Sequence, residues 1–214
     1  MEKQNIRPKH SGSKQLFENP FLERLSRTHI AIPVTLFFLT GMVLLYFAFT
    51  YAVLDNMVIL SLFLIGFFGF TFIEYWVHRS IYHIEPTTEA RSKFQYIAHG
   101  VHHEYPKDKS RLAMPPVIAV LVVGMLFSIS YFALNNYAFA FFPGFIWGYA
   151  SYLLVHYCVH AYPPPKNYFK LLWVNHAVHH YKDGNAVFGV SSPIWDYVFG
   201  TMDTMDKAKV QENL

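Results

Sequence analysis

Long apolar stretches alternate with polar segments along the chain, and the four apolar stretches come in two pairs. Residues 30–53 carry no charge, and residues 57–77 contain only one acidic side chain, Glu74, near their end. Residues 116–134 and 137–155 form the second pair, joined by two asparagines. About 20 helical residues cross the roughly 30 Å hydrocarbon core of a bilayer. The pattern therefore predicts an all-α integral membrane protein with four transmembrane helices in two hairpins.

Every lysine and arginine lies in one of three polar stretches, namely residues 1–29, 79–111 and 166 onward. Four spans put these three stretches on the same side of the membrane, and the short turns at 54–56 and 135–136 hold no basic residue. Because basic residues concentrate in the cytosol, we expect a multi-pass protein whose residues 1–29 form a cytosolic N-terminal segment. The first apolar stretch is longer than the apolar part of a signal peptide, so we expect it to be retained.

The composition narrows the class of protein further. Apolar residues make up 53% of the chain, with 21 Phe and 15 Tyr, which fits lipid-facing helices and aromatic belts. The formal net charge of +3 comes without a basic helix or base-stacking motif, so no nucleic-acid partner is expected. A single cysteine, Cys158, excludes a disulfide framework and argues against a cysteine-based metal site.

Ten of the twelve histidines fall into four tight clusters, and all four lie on the predicted cytosolic side. They are His78 and His83; His99, His102 and His103; His156 and His160; and His176, His179 and His180. A structural zinc uses four ligands, and a mononuclear iron site two histidines and a carboxylate, so ten imidazoles predict two metal ions. A proton relay or transporter would instead place ionisable groups inside the spans, where only Glu74 lies.

The histidine spacing is typical of ligands mounted on helices. Side chains at i, i+3 and i+4 share a helical face, so each of the two triplets is expected to converge on one point. His156 and His160 form an i, i+4 pair. His78 and His83 are five residues apart, so we expect the second span to end or unwind between them.

Neutral imidazoles bring no negative charge to offset two metal ions, so we expect carboxylates or a bridging hydroxide to do so. The carboxylates would act mainly by orienting the ring N–H groups of the histidines. The candidates near the clusters are Glu74, Glu104, Asp108 and Asp183. Tyr152 lies one helical turn before His156 and is expected to face the site. Of these residues, Tyr152 and Asp183 are the candidate catalytic residues.

The histidines predict that a metal binds but not which metal it is. Imidazole ligands suit zinc, copper, iron and nickel alike. The chain has no HExxH motif of a zinc hydrolase and no GxSxG, Walker or GxGxxG motif. Many histidines at the cytosolic membrane face favour redox iron and dioxygen acting on a lipid chain. A non-enzymatic metal-binding membrane protein, or a zinc-stabilised scaffold, is the alternative.

Five motifs carry a resemblance to a known family. They are HRSIYH (78–83), HGVHHEYPKDKSRLAMPP (99–116), HYCVH (156–160), NHAVHH (175–180) and FGVSSPIWDYVFGT (188–201). The chain resembles the fatty acid hydroxylase superfamily and, within it, the fatty acid 2-hydroxylases that act on sphingolipid acyl chains. The histidines alone would also fit sterol and carotenoid oxidases or acyl desaturases. The more specific positions are Pro106, Asp108, Arg111, Leu112, Pro115, Pro116, Trp195 and Asp196.

The resemblance implies that residues 30–214 form one membrane-embedded hydroxylase domain with a cytosolic helical cap. It implies two iron ions held by the ten histidines, with zinc able to occupy the site in purified protein. Dioxygen and two electrons would hydroxylate the carbon next to the acyl carbonyl of a fatty acid or ceramide. The electrons would come from a separate cytochrome- or ferredoxin-type protein, since no haem-binding pattern precedes the first span. The membrane would be a bacterial inner membrane or the endoplasmic reticulum.

Overall fold

Helices make up the architecture of residues 7–202, which are the residues that the computed structural model describes. The α-helices are α1 (Pro20–Leu25), α2 (Ala31–Thr50), α3 (Asn56–Val77), α4 (Glu89–Gln95), α5 (Val101–Glu104), α6 (Pro116–Leu134), α7 (Ala138–Ala161), α8 (Lys170–Tyr181) and α9 (Ile194–Val198). Two π-helical turns, His78–Tyr82 and Tyr96–Gly100, and two 3-10 turns, Lys109–Arg111 and Asn135–Tyr137, complete the list. The expected all-α class is confirmed for the described part of the chain.

Three helical stretches in the described residues are long and apolar enough to cross a bilayer: Ala31–Thr50, Asn56–Tyr82 and Lys109–Ala161. The third contains 53 residues and includes both α6 and α7. Phe127 contacts Phe142 at a ring-centroid distance of 5.4 Å, and Tyr131 contacts Phe139 at 5.8 Å. Since later residues of α6 meet earlier residues of α7, the chain reverses direction at the 3-10 turn between them.

The described chain divides into two compact units. The spanning unit contains residues 15–73 and 109–157, and the histidine unit contains residues 7–14, 74–108 and 158–202. Nine of the ten clustered histidines belong to the histidine unit, whereas His156 lies just before the boundary on the continuous helix α7. The N-terminal six residues and residues 203–214, which belong to the predicted N-terminal segment and hydroxylase domain, lie outside the described residues.

Close backbone contact between α3 and α7 holds the spanning unit together. A Cβ atom added to Gly144 would lie 1.9 Å from the carbonyl oxygen of Phe63, and one on Gly66 would lie 2.2 Å from the carbonyl oxygen of Phe141. Small residues allow such an approach, and it is a common way for membrane helices to pack. A separate cluster of buried apolar side chains joins α2, α6 and α7 through Phe37, Ala119 and Leu153.

Two carboxylates that were expected near the metal site instead bind the N-terminal segment. The Glu104 side chain accepts hydrogen bonds from Lys9 Nζ and from the Tyr96 hydroxyl, each at 2.5 Å. The Lys9 backbone N–H also donates to the Glu104 carbonyl at 2.7 Å. Asp108 accepts a bond from the Ser13 hydroxyl. These contacts fasten residues 7–14 to the part of the histidine unit that contains α5.

Candidate metal centre

A π-helical turn brings His78 and His83 together. The α-helix α3 ends at Val77, and the next five residues form a wider turn in which the His83 N–H donates to the His78 carbonyl at 3.2 Å. Residues five apart diverge on an α-helix but share a face on a π-turn. The two rings lie 5.1 Å apart between centroids. The α-helix therefore ends where the spacing predicts, although the chain remains helical.

The ten histidines separate into two groups of five. Group A contains His78, His83, His99, His103 and His179, and group B contains His102, His156, His160, His176 and His180. Candidate ligand nitrogens within group A lie within 4.8 Å of one another, as do those of the four group B residues in the histidine unit. His156 lies one helical turn before His160 on α7. Each group can hold one metal ion.

The prediction that each histidine triplet converges on one point is wrong. His99 and His103 belong to group A, while His102 between them belongs to group B. His176 and His180 belong to group B, while His179 belongs to group A. In each triplet, the first and third histidines, which are four residues apart, belong to one group, and the middle histidine belongs to the other. Helical side chains three and four apart diverge enough to reach two neighbouring points, so each triplet serves both groups.

Nitrogen separations within the groups match what a bound ion requires. His99 Nε2 lies 3.0 Å from Nε2 of His78 and 3.0 Å from Nε2 of His103. His83 and His179 approach to 3.1 Å through the same atoms, and in group B His160 and His176 approach to 2.7 Å. Two nitrogens bound at about 2.1 Å and at right angles would lie about 3.0 Å apart. The donor atoms of group A are therefore close enough together to share one ion.

Backbone carbonyls fix the orientation of two group A rings. His78 Nδ1 donates to the carbonyl of Phe188 at 2.6 Å, and His179 Nδ1 donates to the carbonyl of Ala186 at 2.8 Å. A carbonyl only accepts, so each Nδ1 carries the proton and each Nε2 keeps its lone pair. Both carbonyls belong to residues 186–191, which we call the carbonyl loop.

Two buried carboxylates hold the carbonyl loop in place. Asp196, fully buried, accepts from the backbone N–H groups of Phe188 and Gly189 at 2.8 Å each. Glu74 accepts from the N–H groups of Val190 and Ser191, also at 2.8 Å each. A Cβ on Gly189 would lie 2.1 Å from the Ser192 carbonyl oxygen, so only glycine fits there. These carboxylates thus act on the histidines through the backbone rather than by direct contact.

Burial favours the neutral form of His83, His99, His179 and His180 by lowering the pKa of each ring. It lowers the pKa of His83 to about 3 and that of His179 to about 4, with the Ala186 carbonyl and Asp183 partly opposing the shift at His179. The pKa values of His99 and His180 fall well below the usual range, because both rings are buried and neighbouring histidines would repel a second proton. Neutral imidazoles present lone pairs at neutral pH, as metal ligation requires.

His180 provides an independent indication of a missing ligand. Among the residues that the structure describes, its buried ring has no hydrogen-bond partner at either nitrogen. Leaving a buried polar nitrogen unpaired costs about 1–3 kcal/mol, so such groups normally have partners. A metal ion in group B would bind one of these nitrogens. The donor set and its geometry therefore fit metal ions in both groups.

The two candidate catalytic residues lie beside the groups. The Tyr152 ring stacks on His156, with centroids 5.5 Å apart and planes 13° apart. Asp183 is exposed, accepts from the Asn185 N–H at 2.8 Å and raises the pKa of His179 electrostatically. Sequence reasoning did not identify the Ala186 and Phe188 carbonyls, because backbone groups leave no signal in residue type. Asp196 was predicted only as a position of the motif at 188–201, not as a residue that holds the loop. The glycine and proline in that motif were the available sign of a tightly bent loop.

The chain is similar to known proteins in both sequence and fold. The family profile for fatty acid hydroxylases matches residues 63–201, well over half of the chain. The chain belongs to the fatty acid hydroxylase family. The matched range includes all ten histidines, the carbonyl loop and Asp196.

Several relatives in the family are named for their substrates. The chain is 36% identical over 204 residues to the ceramide very long chain fatty acid hydroxylase of Schizosaccharomyces pombe, covering 91% of this chain and 57% of the relative. It is 32% identical over 209 residues to the fatty acid 2-hydroxylase of Homo sapiens, covering 88% and 56%. The chain therefore spans little more than half the length of these two relatives.

A solved structure shares the fold of this fatty acid hydroxylase family member. Full-length scs7p, in which only the hydroxylase domain is visible, matches with a TM-score of 0.84 at 32% identity. The match covers 92% of this chain and 76% of that chain. Both the helical architecture and the sequence motifs therefore place the chain in this family.

Proposed function

We propose that this chain is a membrane-embedded 2-hydroxylase of fatty acyl chains, either free or within ceramide, with one iron ion in each histidine group. The observation that carries the proposal is the division of ten histidines into two groups of five, each with ligand nitrogens gathered around one point. A single structural ion would use one such group. Two adjacent groups could hold two iron ions, which suits a hydroxylation with dioxygen because that reaction consumes two electrons.

The reaction converts one C–H bond next to the acyl carbonyl into C–OH. The second oxygen atom of dioxygen leaves as water, and two electrons and two protons are consumed. Bound iron supplies the redox chemistry for activating dioxygen and attacking an unreactive carbon. The electrons come, in this proposal, from a separate cytochrome- or ferredoxin-type protein. Zinc binds the same donors and can replace iron in purified protein without supporting the reaction.

The chain's own residues hold the donors in position. The carbonyl loop fixes the proton on Nδ1 of His78 and His179, so that both Nε2 lone pairs face group A. Asp196 and Glu74 hold that loop through four backbone N–H groups. Orientation of this kind raises ligand basicity and metal affinity, and its loss typically costs 10–100-fold.

The membrane arrangement in this proposal has four crossings, formed by α2, α3, α6 and α7. The 53-residue apolar stretch is too long for one crossing at about 1.5 Å per residue, and its reversal at Asn135–Tyr137 supports two crossings. The distribution of Lys and Arg supports a cytosolic active site. An acyl chain then reaches the histidines from the bilayer, and residues 30–214 act as one domain.

Tyr152 and Asp183 remain the proposed catalytic residues. Tyr152 stacks on His156 and therefore lies at the edge of group B, where an aromatic wall would position an acyl chain. Asp183 places a negative charge near His179 in a set of otherwise neutral ligands. Tyr152→Ala, which removes the ring, and Asp183→Asn, which removes the charge, would each be expected to lower turnover while leaving the metal content unchanged.

Expression in a lipid-producing host, followed by mass spectrometry of total acyl chains, tests the proposed function. The parent chain should raise the content of 2-hydroxylated acyl chains above the empty-vector level, and Tyr152→Ala should raise it less. An increase in double bonds without hydroxylation would indicate an acyl desaturase instead. Oxidised sterols or carotenoids, or no lipid change with iron and reductant present, would contradict the proposal.

A further inference from the structure

The short helix α9 exposes an unusual set of apolar side chains. Ile194, Tyr197 and Val198 on α9, and Phe199 directly after it, have exposed fractions of 59%, 53%, 62% and 46%. Its one charged side chain, Asp196, points inward and is fully buried. The outward surface of α9 is therefore apolar throughout, which a water-facing helical turn normally is not.

The aromatic residue that follows α9 contacts the last turn of α3, so α9 lies near that end of α3. The Phe199 ring stacks on Tyr75 with centroids 5.3 Å apart and planes 13° apart. Tyr75 lies within the apolar stretch Asn56–Tyr82. The next residue, Trp76, is 50% exposed, and Arg79, one turn later, donates to the Tyr75 hydroxyl at 3.0 Å. This change from apolar to aromatic to basic residues marks the boundary between hydrocarbon and water.

We propose that α9 is a membrane-interface contact, in which Ile194, Tyr197, Val198 and Phe199 insert at the boundary between lipid headgroups and acyl chains. The apolar surface of α9 lies beside Tyr75 in the last turn of α3, at the level where aromatic residues favour the interface. The occupant of this surface is therefore lipid. Partial insertion of an apolar helical face is an established way for a protein surface to bind a bilayer.

The location of Asp196 gives this contact a consequence for the histidines. The same helical turn that faces the lipid carries the carboxylate that holds Phe188 and Gly189. Asp196 also accepts from the Thr201 hydroxyl at 2.7 Å, just beyond α9. The membrane contact thus stabilises α9, and α9 carries the Asp196 carboxylate that holds the carbonyl loop. Lipid binding and histidine orientation therefore both depend on α9.

Fluorescence quenching in reconstituted vesicles tests the position of α9 without reference to the reaction. Val198→Cys and, separately, Tyr197→Cys are made in a Cys158→Ala background of the full 214-residue chain and labelled with an environment-sensitive fluorophore. The vesicles contain phosphatidylcholine, with or without a lipid that carries a quenching doxyl group near the carbonyl end of its acyl chain. Iodide is the aqueous quencher. Lys93→Cys, on the charged surface of α4, is the matched control.

The expected result is several-fold stronger quenching by the doxyl lipid at residues 197 and 198 than at residue 93, with iodide giving the reverse order. Iodide quenching at 197 and 198 as strong as at 93 would show that α9 faces water and would overturn the proposal. Insensitivity to both quenchers would show that protein covers the surface, for example a second copy of the chain, and would overturn it as well. Two labelling positions keep the test decisive if one variant does not fold.

Discussion

The identity of the protonated ring nitrogen decides what each histidine can do. Where a carbonyl accepts from Nδ1, as for His78 and His179, Nε2 is left as a lone pair, and a neutral ring has no second proton to offer. A metal ion in group A would be held by such Nε2 lone pairs.

Removal of one ligand of group B should reduce the metal content selectively. His102→Ala takes a single nitrogen from group B and leaves all five group A residues in place. We expect the iron or zinc content per chain to fall by about half, because group A retains its ion. Elemental analysis of purified protein measures this directly. His29→Ala, which removes an exposed histidine outside both groups, should leave the content unchanged. Equal loss from both variants would contradict the assignment.

Replacement of Asp196 should weaken the carbonyl loop. Asp196→Asn exchanges one of two accepting oxygens for an N–H donor that would face a backbone N–H. An unpaired buried donor costs about 1–3 kcal/mol, so we expect a loss of this size in the free energy of unfolding. We also expect faster release of metal to a chelator, since the loop orients His78 and His179.

Asp55→Asn is the matched control for this change. Asp55 Oδ1 accepts from the Met57 N–H at an exposed helix start, and an asparagine keeps that acceptor. Stability and metal release should both stay at the parent values. Metal release that is unchanged in Asp196→Asn, with stability lowered, would mean that the loop does not position the histidines.

At the level of elements, two helix irregularities bring the histidines into place. The π-turn His78–Tyr82 aligns His78 and His83, which an α-helix would separate. A second π-turn, Tyr96–Gly100, contains His99, which belongs to group A together with His103. π-turns are rare and frequently lie at functional sites. Sequence spacing predicted a disturbance at the first, because five residues do not fit an α-helical face. Nothing in residue type distinguished the second.

The histidine pattern predicted which residues form the site but not how they divide between the two groups. All ten clustered histidines lie in the two groups, and the need for two ions follows from their number. The division of each triplet could not be predicted from one helix, because it depends on how α5 and α8 pack against each other. The role of Glu74 also depends on a loop more than 100 residues later. Long-range packing, rather than local pattern, supplied what the sequence did not show.

Close packing of α3 on α7 should make Gly144 intolerant of any side chain. A Cβ there would meet the backbone of Phe63, which cannot rotate away. We expect Gly144→Ala to lower the free energy of unfolding by about 1–3 kcal/mol, the usual cost of overpacking. Denaturant titration in detergent measures the change.

Two other helical glycines provide matched controls for Gly144→Ala. A Cβ on Gly69 in α3 or on Gly124 in α6 would meet nothing within 4 Å. Alanine favours helix by up to about 1 kcal/mol over glycine, so these variants should be as stable as the parent or slightly more stable. A loss at Gly69 equal to that at Gly144 would show that close packing is not the cause.

For the whole molecule, the distribution of charge predicts sidedness. The turns around Asn56 and Asn136 should lie opposite the histidine unit if α2, α3, α6 and α7 each cross the membrane. In a Cys158→Ala background, Asn56→Cys and Asn136→Cys should react with an impermeant maleimide added outside intact cells, while Lys93→Cys should react only after permeabilisation. Protection of Asn136→Cys until permeabilisation would show that α6 and α7 do not both cross.

In the proposed function, the two histidine groups together catalyse acyl 2-hydroxylation with dioxygen. The most direct test supplies the iron-loaded protein in vesicles with ceramide or fatty acid, a reducing partner and isotopically labelled dioxygen, and analyses the acyl chains by mass spectrometry. We predict one labelled oxygen atom on the carbon next to the acyl carbonyl, formed by the parent and absent with His102→Ala. Unlabelled product, label at another position, or equal product from both proteins would contradict the account.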